Sequence, residues 1–299
     1  PRSTRKESSA ASDVYKRQDS RLKSIPYWQS LRPFQEKLID LNNDIDSRQE
    51  VAFEEYKNFL ETMPLLKSMH DMHPNHIHEE IELQAMDFST YLPEWLAYVP
   101  EWRDYYLNHD QINHYKYLKD VLKAMQFIKG PKKWVLKSPQ HLEQIPALLK
   151  TFPDATFAIT YRDPLSVVLS TATMLSYGDR VRRYTVEPKN NFNYWQNRIQ
   201  ILLEKFTNDY KLIPSDQKID IFFDDLIKDN LNSIKKIYSK NSLSFNNLAN
   251  SEIREYMNSN QRGKHGQVIY NLEDFNVDKL EFYQSFKFYF DTFEVLKEI

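Results

Sequence analysis

Residues 155–170 read ATFAITYRDPLSVVLS, and this stretch decides the fold class. Its first seven residues are mostly β-branched, aromatic or small, which is typical of a short buried strand. Asp163 and Pro164 come directly after Arg162 and suit the N-cap and the first position of a helix. The sequence therefore predicts a strand that ends at Arg162 and passes directly into a helix.

Two further β-prone runs, residues 133–137 (KWVLK) and 218–223 (KIDIFF), are separated from this strand by segments with helical spacing of apolar residues. A strand–helix–strand order favours parallel pairing with right-handed crossovers. We therefore predict one α/β domain with a central parallel sheet flanked by helices. Residues 30–127 have a helical pattern that prolines interrupt, and it includes one longer helix over 110–127. Helical segments are predicted again at 226–238, 245–257 and 280–296.

The composition excludes several classes of function. Forty basic and 42 acidic residues give a net charge of -2, which offers no overall attraction to nucleic acid or to an anionic membrane. The absence of cysteine excludes disulfides, thiolate metal sites and cysteine nucleophiles. None of the four glycines belongs to a GxxxxGK or GxGxxG pattern, and no apolar run is long enough to span a bilayer.

Arg162 is the first candidate for an anion site. It lies at the carboxyl end of a predicted parallel strand, where open α/β sheets bind ligands, and a helix N-terminus follows it. Ser166 and Ser170 are four residues apart and can add hydroxyl donors on one helical face. The alternative is that Arg162 only pairs with a neighbouring carboxylate.

Lys137 and His141 form the second candidate site, in the stretch KWVLKSPQHL at 133–142. Lys137 can neutralise charge on a transferring group, and His141 can act as a general base near a helix start. Under the alternative, Ser138 and Pro139 only cap a helix and His141 is an ordinary exposed residue. A separate group of histidines, His73, His76 and His78, does not lead us to predict a metal site, because Pro74 interrupts the run.

Taken together, LKSPxHL, FPDA and RDPxxVxxS resemble the sulfotransferase family, in particular its branch with the LKSP motif. The resemblance runs from about residue 46 to the end of the chain and includes DSRQEVAFEEY and MHPNHIHEE. It implies a fold like that of the P-loop nucleoside triphosphate hydrolases, with a helical substrate region. It also implies transfer of a sulfuryl group from 3'-phosphoadenosine 5'-phosphosulfate (PAPS) to a hydroxyl or amine of a small molecule, a glycan or a lipid, without a metal.

The resemblance also implies roles for individual residues. Arg162 and Ser170 stand at the spacing of the residues that bind the 3'-phosphate of PAPS. The basic loop at 262–266, with Arg262, Gly263 and Lys264, looks like the counterpart of a loop that holds the same phosphate. Lys137 resembles the lysine that contacts the sulfuryl group. His141 is the favoured base, and the rival bases are His70, His78, Glu79 and Glu80.

One departure from the family pattern concerns the start of the chain. Family members begin with a strand and a loop that wraps the 5'-phosphosulfate, and nothing before residue 46 matches it. We expect residues 1–18 to be a disordered leader, in which SSAASDVYKRQ looks like a sequencing adaptor, and residues 19–299 to be one N-terminally truncated domain. The rival functions are a P-loop phosphotransferase and an inactive nucleotide-binding fragment. A cytoplasmic location is favoured, and the composition points to no nucleic-acid partner.

Overall fold

A computed structural model of the chain describes residues 19–34, 46–130, 132–261, 264, 266, 268 and 270–299. The predicted disordered leader at residues 1–18 therefore lies outside the described residues. The strands are β1 (Leu22–Lys23), β2 (Lys133–Trp134), β3 (Phe157–Tyr161) and β4 (Lys218–Phe222). The α-helices are α1 (Tyr27–Leu31), α2 (Ser47–Thr62), α3 (Leu66–Met69), α4 (Ile81–Ala85), α5 (Leu92–Leu96), α6 (Pro100–Asn108), α7 (Ile112–Lys129), α8 (Ile145–Thr151), α9 (Pro164–Asp179), α10 (Pro188–Asp209), α11 (Phe223–Lys228), α12 (Asn230–Lys240), α13 (Asn247–Ser259), α14 (Lys279–Ser285) and α15 (Lys287–Thr292). Short 3-10 helices cover Pro139–Glu143, Tyr210–Leu212 and Leu272–Phe275.

The described residues fall into two compact units, which we name after the site residue that each contains. The Lys137 unit takes its described residues from Lys16–Pro64 and Asp71–Pro153. The Arg162 unit takes its described residues from Leu65–His70 and Asp154–Ile299. Each unit contains one two-stranded parallel sheet, β1 with β2 and β3 with β4.

Helices dominate the Lys137 unit. Its longest helix, α7, covers most of the predicted 110–127 segment and ends where Gly130 takes a positive φ of 84°, a conformation that glycine adopts at low cost. The face of α7 formed by Tyr115, Leu118 and Leu122 is buried. The short helix α4 packs against α7 and presents four buried residues, Ile81, Glu82, Leu83 and Gln84. A buried face that carries two polar side chains requires internal hydrogen-bond partners.

The Arg162 unit confirms the predicted strand–helix start. β3 pairs in parallel with β4, with Phe157 opposite Lys218 and Tyr161 opposite Phe222, and the crossover between them contains α9 and α10. An aromatic cluster of Tyr161, Phe206, Tyr289 and Phe293 is buried beside the strands. This packing fixes the position of the carboxyl end of β3, and Arg162 is the residue that directly follows it.

Three predictions differ from the structure. Where one central parallel sheet was predicted, the described residues contain two separate two-stranded parallel sheets. The predicted helix 226–238 divides between α11 and α12 because the side chain of Asp229 accepts a hydrogen bond from the Asn232 N–H and caps a new helix. The predicted terminal helix divides at Phe286, which leaves helical geometry (φ -103°, ψ 13°) and whose side chain is fully buried.

Candidate functional site

In the Lys137 unit, Lys137 lies between a strand and a short helix. The strand β2 covers only Lys133–Trp134, so Lys137 lies three residues beyond its end and shortly before the 3-10 helix Pro139–Glu143. The ammonium of Lys137 is paired with the carboxylate of Glu79. The Lys137 side chain is 36% exposed and that of Glu79 is 12% exposed, so solvent can reach the ammonium.

His141 lies in the 3-10 helix and is held at both ring nitrogens. Nε2 contacts Oε1 of Glu80, and Nδ1 lies 2.8 Å from the hydroxyl of Tyr115 on α7. The Glu80 side chain is completely buried, whereas that of His141 is 19% exposed. His141 is therefore not the ordinary exposed residue of the alternative interpretation, because its ring belongs to a buried polar network.

Glu80 also fixes the main chain of the motif, since its Oε2 accepts a hydrogen bond of 3.1 Å from the Lys137 N–H. Two consecutive glutamates of MHPNHIHEE thus hold the two candidate catalytic residues of KWVLKSPQHL. A buried carboxylate is stable only when its oxygens receive hydrogen bonds or meet a positive charge. The two motifs are therefore matched to each other through charge and hydrogen bonding.

In the Arg162 unit, Arg162 directly follows β3 and is paired with a carboxylate. Its Nε and Nη2 donate to the two carboxylate oxygens of Glu298 at 2.8 Å and 3.0 Å. The guanidinium also lies over the ring of Phe223, 4.2 Å from its centroid. The geometry is a bidentate fork of the kind that arginine also forms with phosphate.

Asp163 confirms the predicted N-cap of α9. Its Oδ1 accepts from the Leu165 N–H at 3.0 Å, and its Oδ2 accepts from the Tyr283 hydroxyl at 2.9 Å and the Glu298 N–H at 2.8 Å. Burial raises the pKa of Asp163 above its usual range, while the hydrogen bonds from these donors oppose the rise. The Leu165 N–H at the start of α9 is thus already bound to the capping aspartate.

The two serines of α9 differ in environment. Ser166 is buried, with 1% of its surface exposed, whereas Ser170 is partly exposed and accepts a hydrogen bond of 3.0 Å from the Tyr270 hydroxyl. Ser170 and Tyr270 therefore place two hydroxyl groups together. Such a pair can donate to an anion, because each hydroxyl can rotate its proton.

The basic loop is described only in part. Arg262 and Gly263 lie outside the described residues. Lys264 is exposed, and its ammonium lies 3.4 Å from Oδ1 of Asn260. Gly266 has a positive φ of 102°, where an added Cβ would strain the backbone.

Two features are absent from the part of the chain that the structure describes. No group of three or more His, Cys, Asp or Glu side chains there is arranged to hold a metal ion. Among the helices of those same residues, none is both long and apolar enough to cross a membrane.

Sequence reasoning missed three residues that contact the candidates: Tyr115, Tyr270 and Glu298. Glu298 lies 136 positions after Arg162, and no local pattern links the two. Tyr270 does stand at the end of RGKHGQVIY, the stretch that contains the predicted phosphate-binding loop. Its position beside that loop was a usable signal, whereas Tyr115 looked like one of many core aromatics.

Comparison with known proteins agrees with this architecture. Residues 23–247 match the sulfotransferase family. The fold resembles that of the sulfotransferase STF9 from Mycobacterium avium, with a TM-score of 0.82 and 18% identity over 98% of this chain and 76% of that one. It also resembles the sulfotransferase STF1 from Mycobacterium tuberculosis H37Rv, with a TM-score of 0.74 and 20% identity over 93% of this chain and 72% of that one. No curated protein gives a significant match.

The sheets and the structural matches define the fold class as α/β, with small parallel sheets. The match covers well over half of the chain, and the chain belongs to the sulfotransferase family.

Proposed function

We propose that the protein transfers a sulfuryl group from PAPS to a hydroxyl or amine of a small molecule, glycan or lipid. The observation that carries the proposal is the cluster in the Lys137 unit. There a cation, an imidazole and two carboxylates are assembled from two motifs more than 50 residues apart. Clusters of ionisable groups in which each group orients another are typical of catalytic sites.

The reaction forms one bond and breaks one. The acceptor oxygen or nitrogen attacks sulfur, the bond between sulfur and the phosphate oxygen breaks, and 3',5'-adenosine bisphosphate leaves with the electron pair. A base takes the acceptor's proton. We assign Lys137 to the transferring group, where its charge offsets the charge that develops on the sulfuryl and bridging oxygens.

We assign the 3'-phosphate of the nucleotide to Arg162 and Ser170, with Arg262, Gly263 and Lys264 of the basic loop. Arg162 already makes a bidentate contact with one anion, the Glu298 carboxylate, at distances that suit phosphate oxygens. Tyr270 adds a hydroxyl next to Ser170. Glu298 competes with the phosphate for the same guanidinium edge, so nucleotide binding requires the guanidinium to exchange one partner for the other.

His141 is our first choice for the base, and Glu79 is the alternative. In neutral His141, proton acceptance at Nδ1 requires the Tyr115 hydroxyl to release that nitrogen. Glu79 is a carboxylate next to the ammonium assigned to the transferring group. Replacement of each by glutamine separates the two, since loss of the base lowers kcat about 10²- to 10⁴-fold whereas loss of a supporting contact lowers it less.

Incubation of the folded chain with radiolabelled PAPS and one acceptor each from the phenols, aliphatic alcohols and primary amines tests the proposal. We expect a labelled product and stoichiometric 3',5'-adenosine bisphosphate with at least one acceptor class. Nucleotide binding without transfer to any class would instead identify a nucleotide-binding fragment. Transfer of the γ-phosphate from ATP under the same conditions would identify a phosphotransferase.

A further inference from the structure

The hydrogen bonds around His141 determine which ring nitrogen carries the proton. Tyr115 is completely buried, and burial raises the pKa of its hydroxyl, so the hydroxyl remains protonated. Nδ1 of His141 lies 2.8 Å from this hydroxyl, which can therefore donate its proton to that nitrogen.

The other nitrogen of His141 must then be the one that carries hydrogen. Nε2 contacts Oε1 of Glu80, and a carboxylate can only accept. Oε2 of the same carboxylate already accepts from the Lys137 N–H at 3.1 Å, so both oxygens of Glu80 have donors. Each donor thus has an acceptor only when neutral His141 is protonated at Nε2.

We propose that Glu80 and Tyr115 are positioning residues that select the Nε2–H form of His141 and thereby make Nδ1 its basic nitrogen. Glu80 also ties the Lys137 main chain to the same carboxylate, so the orientations of the candidate base and the candidate cation depend on one side chain. This assignment deepens the proposed function and rests on it for its catalytic consequence. The tautomer itself can be measured without turnover.

Glutamine at position 80 tests the assignment because its shape is nearly unchanged while its hydrogen-bonding capacity differs. An amide offers one oxygen and one NH₂ group, so it cannot accept from both Lys137 N–H and His141 Nε2–H through separate oxygens. If the amide oxygen keeps the Lys137 N–H, its NH₂ group faces Nε2. In Glu80→Gln we therefore expect His141 to move toward the Nδ1–H form.

The experiment is a ring-nitrogen NMR measurement of His141 in the ¹⁵N-labelled chain at a pH where its ring is neutral. The signal is assigned by its loss in His141→Gln. In the wild type we expect Nε2–H to be the main form, and in Glu80→Gln we expect it to fall below half. Tyr115→Phe removes the donor to Nδ1, so the Nδ1 resonance shifts while Nε2–H remains the main form.

Glu82→Gln is the matched control. Glu82 lies on the same segment and is paired with His78 through Nε2 at 2.7 Å, so this substitution is expected to change the His78 resonances and leave those of His141 unchanged. A wild-type ring mainly in the Nδ1–H form would overturn the proposal, and so would a Glu80→Gln spectrum identical to that of the wild type. If Glu80→Gln fails to fold, the tautomer of His141 in the wild type and the Nδ1 shift in Tyr115→Phe still test the proposal.

Activity provides a second, separate readout. With an active acceptor, Glu80→Gln is expected to lower kcat about 10- to 100-fold with little change in KM, as supporting residues of catalytic groups often do. If no acceptor is found but the tautomer responds as expected, the positioning assignment stands and the proposed reaction does not. An altered tautomer with unchanged kcat would show that the positioning of His141 by Glu80 does not affect the reaction, and would overturn that part of the proposal.

Discussion

The two units treat their candidate cations in the same way but recruit the partners differently. In the Lys137 unit, the partners are the consecutive residues Glu79 and Glu80 of a motif that the sequence had already singled out. In the Arg162 unit, the partner is Glu298, from a distant part of the chain. A local motif thus predicts the cation reliably, but it predicts the carboxylate only when the carboxylate lies in a motif of its own.

The two units also differ in how readily a ligand could replace the carboxylate partner. The Glu80 side chain has no exposed surface and is bound to a main-chain N–H, whereas that of Glu298 is 17% exposed and is bound to the Arg162 guanidinium. Breaking a buried pair leaves an uncompensated charge, which is costly. We therefore interpret the Glu80 contacts as permanent and the Glu298 contact as the one that a phosphate can replace.

The largest expected effect is that of Lys137→Ala. Loss of a group that stabilises developing charge lowers kcat by about 10²- to 10³-fold. The measurement is the initial rate of transfer from PAPS, with Lys133→Ala as control because Lys133 is an exposed lysine of the neighbouring strand β2. Equal rates for Lys137→Ala and Lys133→Ala would show that Lys137 does not stabilise the transferring group.

Ser170→Ala should weaken binding of 3',5'-adenosine bisphosphate by about 2- to 12-fold, the loss that corresponds to one hydrogen bond of about 0.5–1.5 kcal/mol. Ser176→Ala is the control on the same helix, because Ser176 accepts from Asn191 rather than from Tyr270. Calorimetric titration measures both. Unchanged affinity in Ser170→Ala would exclude its hydroxyl from the phosphate site.

Glu298→Gln tests whether the contact with Arg162 is exchangeable. Removal of a negative charge beside the proposed phosphate site should tighten nucleotide binding by about fivefold, the equivalent of roughly 1 kcal/mol for a partly exposed pair. Glu294→Gln, which removes the same charge from an exposed position nearby, should leave the affinity unchanged. Weaker binding in Glu298→Gln would show instead that Glu298 orients Arg162 for the nucleotide.

The smallest effect is expected at Asp163, the buried carboxylate of the Arg162 unit. Burial raises its pKa above the usual range, so the folded chain binds this proton more tightly than the unfolded chain does. Its contribution to the free energy of unfolding is therefore largest below the usual pKa and is lost as the pH rises through the raised value.

Urea unfolding between pH 7 and about pH 4 measures this dependence. We expect the wild type to gain stability relative to Asp163→Asn as the pH falls. Asp154→Asn, an exposed position before β3, is the matched control. If the wild type instead gained stability relative to Asp163→Asn as the pH rises, the dependence would have the opposite sign and would contradict the raised pKa of Asp163.

Much of the fold could be predicted from the sequence. The parallel pairing of β3 with β4, the N-cap at Asp163 and the helix that ends at Gly130 all depend on local residue types with strong conformational preferences. The break at Phe286 could not be predicted, because the segment has helical periodicity throughout and the burial of Phe286 depends on tertiary packing.

The local positions of the candidate site residues could be predicted in part, whereas their roles stay predictions. Arg162 directly follows β3 as predicted, whereas the strand predicted over 133–137 already ends at Trp134, before Lys137. The Tyr115–His141–Glu80 network was not predicted, since its three members come from three separate segments and only the fold brings them together. Two interpretations of Arg162 were open from the sequence, an anion site and a simple pair with a carboxylate. The structure shows the carboxylate pair, in a geometry that also suits phosphate.

The most direct test of the nucleotide assignment is calorimetric titration of 3',5'-adenosine bisphosphate into the wild type and Arg162→Ala at low salt, where screening of the charged site is weakest. Arg183→Ala, an exposed arginine of the same unit, is the control. We predict that the wild type and Arg183→Ala bind equally and that Arg162→Ala binds at least tenfold more weakly, the loss of a charge-assisted contact. Equal affinity of Arg162→Ala and the wild type, with both shown to be folded, would contradict the account.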